Sequence, residues 1–126
     1  MKPFNRLVRV DVSPGSAAGW VDLVLSTVVP AGKHLVVEFL STSSEMPPGQ
    51  KPNPVIVILD KNGSAVVQHY SVTYLQLTYN GADIHKSAHP TRLSLSRDLT
   101  LRFDLTRDAT PGEARCYFGI SGYLTT

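Results

Sequence analysis

Residues 92–106 read RLSLSRDLTLRFDLT, and this stretch decides the fold. A period of two is typical of an extended strand with one dry face and one wet face, whereas a helix would spread the same leucines around its whole circumference. Arg97 and Asp98 interrupt the series, which predicts either two strands joined by a tight turn or one strand with a bulge. The rest of the chain must then supply a second apolar surface that covers the leucines. The alternating apolar positions are Leu93, Leu95, Leu99, Leu101, Phe103 and Leu105.

Strand patterns and turn signals alternate about every ten residues along the remaining chain. Residues 34–40 are almost continuously apolar apart from Glu38, which predicts a strand buried on both faces or central in a sheet. Asn62 and Gly63 predict a hairpin, because this pair supplies the positive φ angles of a tight turn. No segment has a sustained helical period. The sequence therefore predicts a single all-β domain over residues 1–126, an antiparallel β-sandwich of jelly-roll type with eight or nine strands.

Two short segments resemble a loose group of small bacterial β-sandwich proteins of unknown function. The first is VPAGKHLVVE at residues 29–38, and the second is the ending SGYL at residues 121–124. Both segments consist of a turn or a strand, and together they frame most of the domain. The resemblance implies a jelly-roll-like sandwich and supplies neither an activity nor catalytic residues.

The charge and the apolar segments of the chain limit which partners and which cellular compartment we expect. Twelve basic and ten acidic residues give a net charge of +2 and are scattered along the chain, whereas nucleic-acid-binding proteins usually carry a strongly basic face. We therefore expect no nucleic-acid partner. No segment is apolar enough for a leader or a membrane span. We expect a soluble protein, cytoplasmic as the sequence stands or exported if a leader has been removed.

The single cysteine, Cys116, excludes an internal disulfide, so packing has to stabilise the fold. It belongs to an alternating apolar run that ends at Ile120. This alternation points the thiol at the core and predicts a small buried hydrophobe rather than a reactive group.

The search for catalytic chemistry finds little. His85 and His89 are four residues apart, but Pro90 disfavours a helix there, and on a strand two such residues lie roughly 13 Å apart, too far for one ion. No G-x-S-x-G motif or phosphate-binding loop occurs. We therefore predict no catalytic residue, no metal site and no cofactor. The alternative of a small metal-dependent or hydrolytic enzyme rests on His85, His89 and the acid Glu38 within its apolar run.

Binding residues are predicted in two regions. Residues 41–54, STSSEMPPGQKPNP, form the longest stretch without a strand pattern and read as a loop for binding or as a crossover between sheets. Tyr70 and Tyr74 would line one face if their strand runs unbroken through Val72, and their rings, like that of Trp20, could stack on a sugar or fill the core. The candidate binding residues are Trp20, Glu45, Gln50, Lys51, Asn53, Tyr70 and Tyr74.

These observations favour a non-enzymatic module. When one face of a β-sandwich is only half polar, that face is often buried by self-association. We expect a homo-oligomer, a trimer or another closed ring, that acts in binding or structural assembly. The alternative is a carbohydrate-binding lectin, for which the tyrosines and residues 41–54 are the motivation, and a protein ligand stays open.

Overall fold

The computed structural model describes residues 1–71 and 73–126, apart from the side chain of Tyr70, and this part of the chain contains nine β-strands and one short 3-10 turn at Leu25–Thr27. The all-β prediction is confirmed. The strands are β1 (Lys2–Val12), β2 (Ala18–Val24), β3 (His34–Met46), β4 (Pro52–Leu59), β5 (Ala65–Tyr70), β6 (Tyr74–Tyr79), β7 (Ala82–Ser96), β8 (Thr100–Arg107) and β9 (Ala114–Thr125).

The strands form two antiparallel sheets that pack face to face. Sheet A has the order β1-β9-β3-β7-β6, and sheet B has the order β2-β8-β4-β5. With β6 set aside, each sheet keeps four strands, and the chain passes between the sheets at most of its connections, which is the jelly-roll arrangement. The predicted fold is therefore confirmed, and β6 is an additional edge strand of sheet A.

The leucine-rich stretch is two strands, because β7 ends at Ser96 and β8 begins at Thr100. These strands belong to different sheets, so the turn between them crosses the sandwich instead of closing a hairpin. Leu95 of sheet A and Leu101 of sheet B are both buried. The leucines thus contribute to both layers of the core rather than to one wall. Arg97 in the turn donates a hydrogen bond to the Val29 carbonyl at 3.1 Å.

The core is a continuous apolar layer between the sheets. Phe103 of β8 and Phe118 of β9 meet at its centre, with ring centroids 5.3 Å apart. Cys116 is fully buried, as predicted, and burial raises the pKa of its thiol to about 11. Thiol chemistry at neutral pH is therefore suppressed, because the thiolate is the reactive form.

Strand β3 lies in the middle of sheet A between β7 and β9, which confirms its predicted central position. A β-bulge between Val37 and Phe39 leaves the Glu38 side chain exposed. The neighbouring strand carries Gly122 beside this bulge, where a Cβ would come within 1.8 Å of the Val36 carbonyl oxygen. Only glycine fits this close approach of two backbones.

The prediction of a loop at residues 41–54 is wrong for most of this segment. Strand β3 continues to Met46 and β4 begins at Pro52, so only residues 47–51 connect them. Thr42 and Ser44 alternate with half-buried positions of β3 and are themselves buried between the sheets. Their polar side chains hid this strand from the hydrophobic pattern.

Two prolines in β4 are compatible with its central position because of the register. Strand β4 pairs with β8 from Pro52 onward, whereas its pairing with β5 begins at Val55. Pro52 and Pro54 therefore lie before the ladder with β5 begins, where a missing N–H costs no ladder hydrogen bond, and the Pro54 carbonyl accepts from the Ser71 N–H at 3.2 Å.

The condition under which Tyr70 and Tyr74 would line one face, a single strand through both, is not met. Strand β5 ends at Tyr70 in sheet B, and β6 begins at Tyr74 in sheet A. The two tyrosines therefore belong to different sheets. Val72, which the sequence places between them, lies outside the described residues.

The hairpin predicted at Asn62 and Gly63 joins β4 to β5, and a second Asn-Gly pair joins β6 to β7 with a different geometry. At the turn between β4 and β5 only Gly63 has a positive φ, at 81°, and Asp60 accepts backbone hydrogen bonds across the turn. Asn80 and Gly81, between β6 and β7, have φ of 52° and 75°. This second pair has the two positive angles of a two-residue hairpin, and it fixes β6 against β7.

Candidate functional site

Strand β6 is exposed along its whole length at one edge of sheet A. A bulge at Gln76 opposes Leu75 to His85 and Leu77 to Ile84, which are consecutive in β7, so the two leucines point to opposite faces. Both faces of this edge are consequently apolar. The exposed fractions are 59% for Tyr74, 55% for Leu75, 45% for Leu77 and 66% for Tyr79.

The edge of sheet B on the same side is similar. His69 of β5 contacts His89 of β7, which places β5 next to the β6–β7 side of sheet A. Val66 and Val67, consecutive in β5, are both exposed. Neither β5 nor β6 contains Asp, Glu, Lys or Arg. This side of the sandwich, formed by β5 and β6, is called the apolar edge below.

The opposite side, formed by β1 and β2, is charged. Gly19 of β2 lies against β1, where a Cβ would come within 2.4 Å of the Asp11 carbonyl oxygen. Arg6 and Arg9 are exposed in β1, and Arg9 pairs with Asp11 at 3.0 Å. Strand β1 is an edge strand of sheet A, and charged side chains of this kind discourage unwanted strand pairing. The apolar edge has no such protection.

A shallow groove on the outer face of sheet A contains two further exposed apolar residues. Leu7 of β1 and Phe39 of β3 border a space of about 420 Å³ above Ser41 and Gly119. The groove is floored by small residues because a Cβ at position 119 would come within 2.5 Å of the Ser41 hydroxyl oxygen.

The outer face of sheet B carries a polar site around Arg102. Arg102 of β8 donates two hydrogen bonds to the Asp22 carboxylate, at 2.8 and 3.0 Å, and its guanidinium lies 5.2 Å from the centroid of the Trp20 ring. The hydrogen bond from Arg102 lowers the pKa of Asp22. Trp20 keeps 59% of its surface exposed. An aromatic ring beside oriented donors and acceptors suits a polyhydroxylated ligand.

Asp104 lies opposite Trp20 in the neighbouring strand. Burial raises the pKa of its carboxyl, with Arg102 acting in the opposite direction. Its Oδ1 is buried and has no hydrogen-bond partner among the described residues. A cleft of about 490 Å³ continues from Asp22 and Arg102 toward the turns, where Asp60 and Lys61 line it.

The structure places two of the predicted binding residues on this face. Trp20 pairs with Asp104, and Asn53 of β4 pairs with Thr106 two positions further along β8. Because residues two apart on a strand share a face, Trp20 and Asn53 flank the same strip of sheet B. The backbone of Tyr70 pairs with Val55 in this sheet, but the tyrosine side chain lies outside the described part.

Other predicted residues lie elsewhere. Glu45 of β3 faces Arg115 of β9 at 3.9 Å, and Tyr74 is in β6 on sheet A. Lys51 is exposed at the end of the sandwich, where its backbone N–H donates to Asp108 at 2.9 Å. The predicted residues therefore do not form one site.

Gln50 is buried, contrary to its prediction as a binding residue. Its amide nitrogen donates to the Pro111 carbonyl at 2.7 Å, and its oxygen accepts from Arg107 at 3.1 Å. Arg107 is itself buried among backbone carbonyls. Gln50 thus joins the connection between β3 and β4 to the one between β8 and β9. This role is structural.

The histidines are arranged differently from the helical pair considered in the sequence. His85 is buried in β7 opposite Ser44, and its Nε2 has no hydrogen-bond partner among the described residues. His89 contacts His69, with 2.6 Å between their Nε2 atoms. In residues 1–71 and 73–126, no group of three or more His, Cys, Asp or Glu side chains is placed to hold a metal ion. Sequence reasoning missed the 69–89 pair because the two residues come from different sheets.

The fold defines a jelly-roll β-sandwich protein. No protein-family model and no curated protein matches the chain. Among solved structures it is similar to the VP2 subviral particle of infectious bursal disease virus, with 8% identity over 96% of this chain and 33% of that chain and a TM-score of 0.47. The CBM22-1 xylan-binding domain of Paenibacillus barcinonensis Xyn10C gives 11% identity over 95% of this chain and 85% of that domain, with a TM-score of 0.42.

Latent dimeric PorU of Porphyromonas gingivalis gives 11% identity over 98% of this chain and 13% of that chain, with a TM-score of 0.38. The chain thus spans about a third of the length of the matched VP2 chain. These likenesses concern the fold alone. The described residues contain no helix that is long and apolar enough to cross a membrane.

Proposed function

We propose that the protein is a non-enzymatic β-sandwich module that self-associates through strand β6 and acts in binding or structural assembly. One observation carries the proposal: all six residues of this edge strand are exposed, and four of them are large and apolar. An edge strand presents unpaired backbone donors and acceptors, and a strand with apolar side chains on both faces is a template for pairing with another strand.

A second copy of the chain is the occupant that the charges favour. Strand β6 contains no charged residue, so two copies can pair antiparallel without repulsion. Pairing of β6 with the edge strand β1 of another copy would instead bring the apolar strand against Arg6 and Arg9. A contact between identical patches is isologous and closes as a two-fold dimer. Such a dimer would join two copies of sheet A into one ten-stranded sheet, since each copy contributes five strands.

Replacement of Leu77 by Lys tests this surface. Leu77 is 45% exposed, and full burial of a leucine contributes about 2 kcal/mol, so its remaining exposure corresponds to about 1 kcal/mol per copy. A two-fold contact contains the residue twice. We therefore expect Leu77→Lys to weaken the dimer by about 2 kcal/mol, which is roughly 30-fold in its dissociation constant.

The assay is size-exclusion chromatography with light scattering over a micromolar concentration series. Leu7→Lys is the matched control, because Leu7 is a leucine that is 67% exposed on the opposite edge of the same sheet. Dissociation by Leu77→Lys but not by Leu7→Lys supports the proposal. A wild-type monomer at these concentrations defeats it, and dissociation by Leu7→Lys alone assigns the contact to the groove between Leu7 and Phe39. A trimer would contradict the two-fold arrangement while keeping the self-association.

A second candidate function is carbohydrate binding on the outer face of sheet B. The specific observation is the exposed Trp20 ring beside the oriented Arg102–Asp22 pair. A sugar would stack on the indole and donate hydroxyl hydrogen bonds to the Asp22 carboxylate, whose side chain is 34% exposed.

A glycan array with the wild-type protein and Trp20→Ala tests this candidate. The expected result is binding to a restricted set of glycans that Trp20→Ala abolishes, while Tyr79→Ala, a change of an equally exposed ring on the other sheet, leaves it intact. A flat response of the wild type over the whole array would remove the candidate.

A further inference from the structure

His69 and His89 meet between the two sheets beside the apolar edge. Their Nε2 atoms are 2.6 Å apart, their ring centroids 4.9 Å apart, and the ring planes are inclined by 20°. At this distance one Nε2–H donates to the lone pair of the other Nε2. Both side chains are partly buried, so solvent reaches the pair from one side.

The surroundings of the pair are apolar. The cross-strand neighbour of His69 is Ile56 of β4, and that of His89 is Leu40 of β3, and both of these are buried. Burial, and then the proximity of His89, lowers the pKa of His69. No Asp, Glu, Lys or Arg stands at the positions that pair with the two histidines. Two imidazole nitrogens therefore converge with buried apolar residues at both pairing positions.

We propose that His69 and His89 form a two-nitrogen chelate for a divalent transition-metal ion of the Zn²⁺, Ni²⁺ and Cu²⁺ class, which joins sheet A to sheet B. Neutral imidazole is a preferred ligand of these ions. The site is separate from strand β6 and does not depend on self-association.

The geometry requires only a small adjustment. Zinc binds histidine nitrogen at about 2.0–2.1 Å, so two nitrogens at the tetrahedral angle lie roughly 3.3 Å apart. The rings must therefore separate by about 0.7 Å, which partly exposed side chains near a sheet edge can do. The donor ring moves its proton from Nε2 to Nδ1, so that both Nε2 lone pairs face the ion. Water completes the coordination from the open side.

The test is titration of the metal-free protein with ZnCl₂ and NiCl₂ by isothermal calorimetry, with thermal unfolding recorded in parallel. The expected result is one ion per chain and a rise in Tm of several degrees, because an ion that binds only the folded state stabilises it. His69→Gln and His89→Gln should each weaken binding at least tenfold. His34→Gln is the matched control, since His34 is an exposed histidine of β3 that lies outside the pair.

Circular dichroism shows whether each variant is folded. If a glutamine variant fails to fold, His89→Glu keeps the test decisive, since a glutamate carboxylate is also a zinc ligand, reaches about as far from its Cα as the histidine Nε2, and should retain zinc binding. Light scattering with and without the metal separates an ion held within one chain from an ion that bridges two copies. The proposal is overturned if the wild type binds neither metal at an ion concentration on the order of 100 µM, because a two-histidine chelate should have a dissociation constant below that concentration. It is also overturned if His34→Gln removes binding as fully as His69→Gln does.

Discussion

Arg107 closes one end of the sandwich, and its replacement is the sharpest test of how the fold is held together. This last residue of β8 is buried, and its guanidinium donates to backbone carbonyls of two connections and to Gln50. No carboxylate is among these partners. The carbonyls accept at 3.0 Å (Ser16), 3.2 Å (Ser13), 2.9 Å (Thr110), 3.2 Å (Pro111) and 2.7 Å (Gly112).

The cost of removing this group follows from its burial and from what it leaves behind. Arg107→Met removes the shared donor of five part-buried carbonyl hydrogen bonds, and because bonds from a charged donor contribute about 1.5–3 kcal/mol each and water can replace part of them, we expect a loss of about 3–5 kcal/mol in total. Arg107→Lys keeps the charge but replaces a planar fork of five donors by a single ammonium, so we expect about 3 kcal/mol. Domains of this size are stable by about 5–15 kcal/mol. The expected fall in Tm is roughly 10–20 °C for Arg107→Met.

Urea unfolding followed by circular dichroism measures both variants. Arg102→Lys is the matched control, because Arg102 makes a partly exposed ion pair and such pairs contribute about 1 kcal/mol or less. The reasoning is refuted if Arg107→Lys unfolds within about 1 kcal/mol of the wild type. The carbonyls would then be satisfied by water, and the two connections would hold without the arginine.

Three further changes test other parts of the structure. Asp104→Asn should stabilise the protein at pH 7 by up to about 1 kcal/mol, since a half-buried oxygen without a partner carries the charge. Because burial raises the pKa of Asp104 in the folded protein, the stability gain should vanish below about pH 4 and be complete once the pH exceeds that folded pKa. Urea titrations of both proteins at pH 3 and pH 7 measure this difference. A variant that is less stable than the wild type at pH 7 contradicts the assignment. With its pKa raised to about 11, the Cys116 thiol should resist alkylation by iodoacetamide at pH 8 until the protein unfolds. Mass spectrometry measures the labelling, and rapid alkylation of the native protein would disprove the prediction. Gly122→Ala should lower stability by about 2–4 kcal/mol in urea unfolding, because its Cβ would meet the Val36 carbonyl oxygen, and a variant as stable as the wild type would show that the bulge relaxes.

The candidate site on sheet B was only partly accessible to sequence reasoning. Trp20 was recognised because a large amphipathic ring in a strand pattern invites a binding role. Asp104 and Arg102 were read as ordinary wet positions of β8, and nothing local distinguishes them from Asp98 or Thr100. Their chemistry appears only when β2 lies beside β8 and brings Trp20 and Asp22 next to them.

The apolar edge shows a different limit. The alternation in residues 72–79 indicates a strand, and β6 covers Tyr74–Tyr79, but alternation usually means one buried face. In the structure neither face of β6 is covered, because sheet A has five strands opposite the four of sheet B. Whether an apolar strand is buried therefore depends on the strand count of the opposing layer, which no local pattern contains.

The sequence by itself determined the class of the fold, the inward face of the leucine-rich stretch, the central position of β3 and the burial of Cys116. These features follow from side-chain period and turn chemistry, which act between residues a few positions apart. Only the tertiary structure decided that Thr42 and Ser44 belong to the interior, that Arg107 gathers the carbonyls of two connections, and that His69 meets His89. Each of these depends on which strands become neighbours across and within the sheets, and that choice is made by the packing of the whole chain.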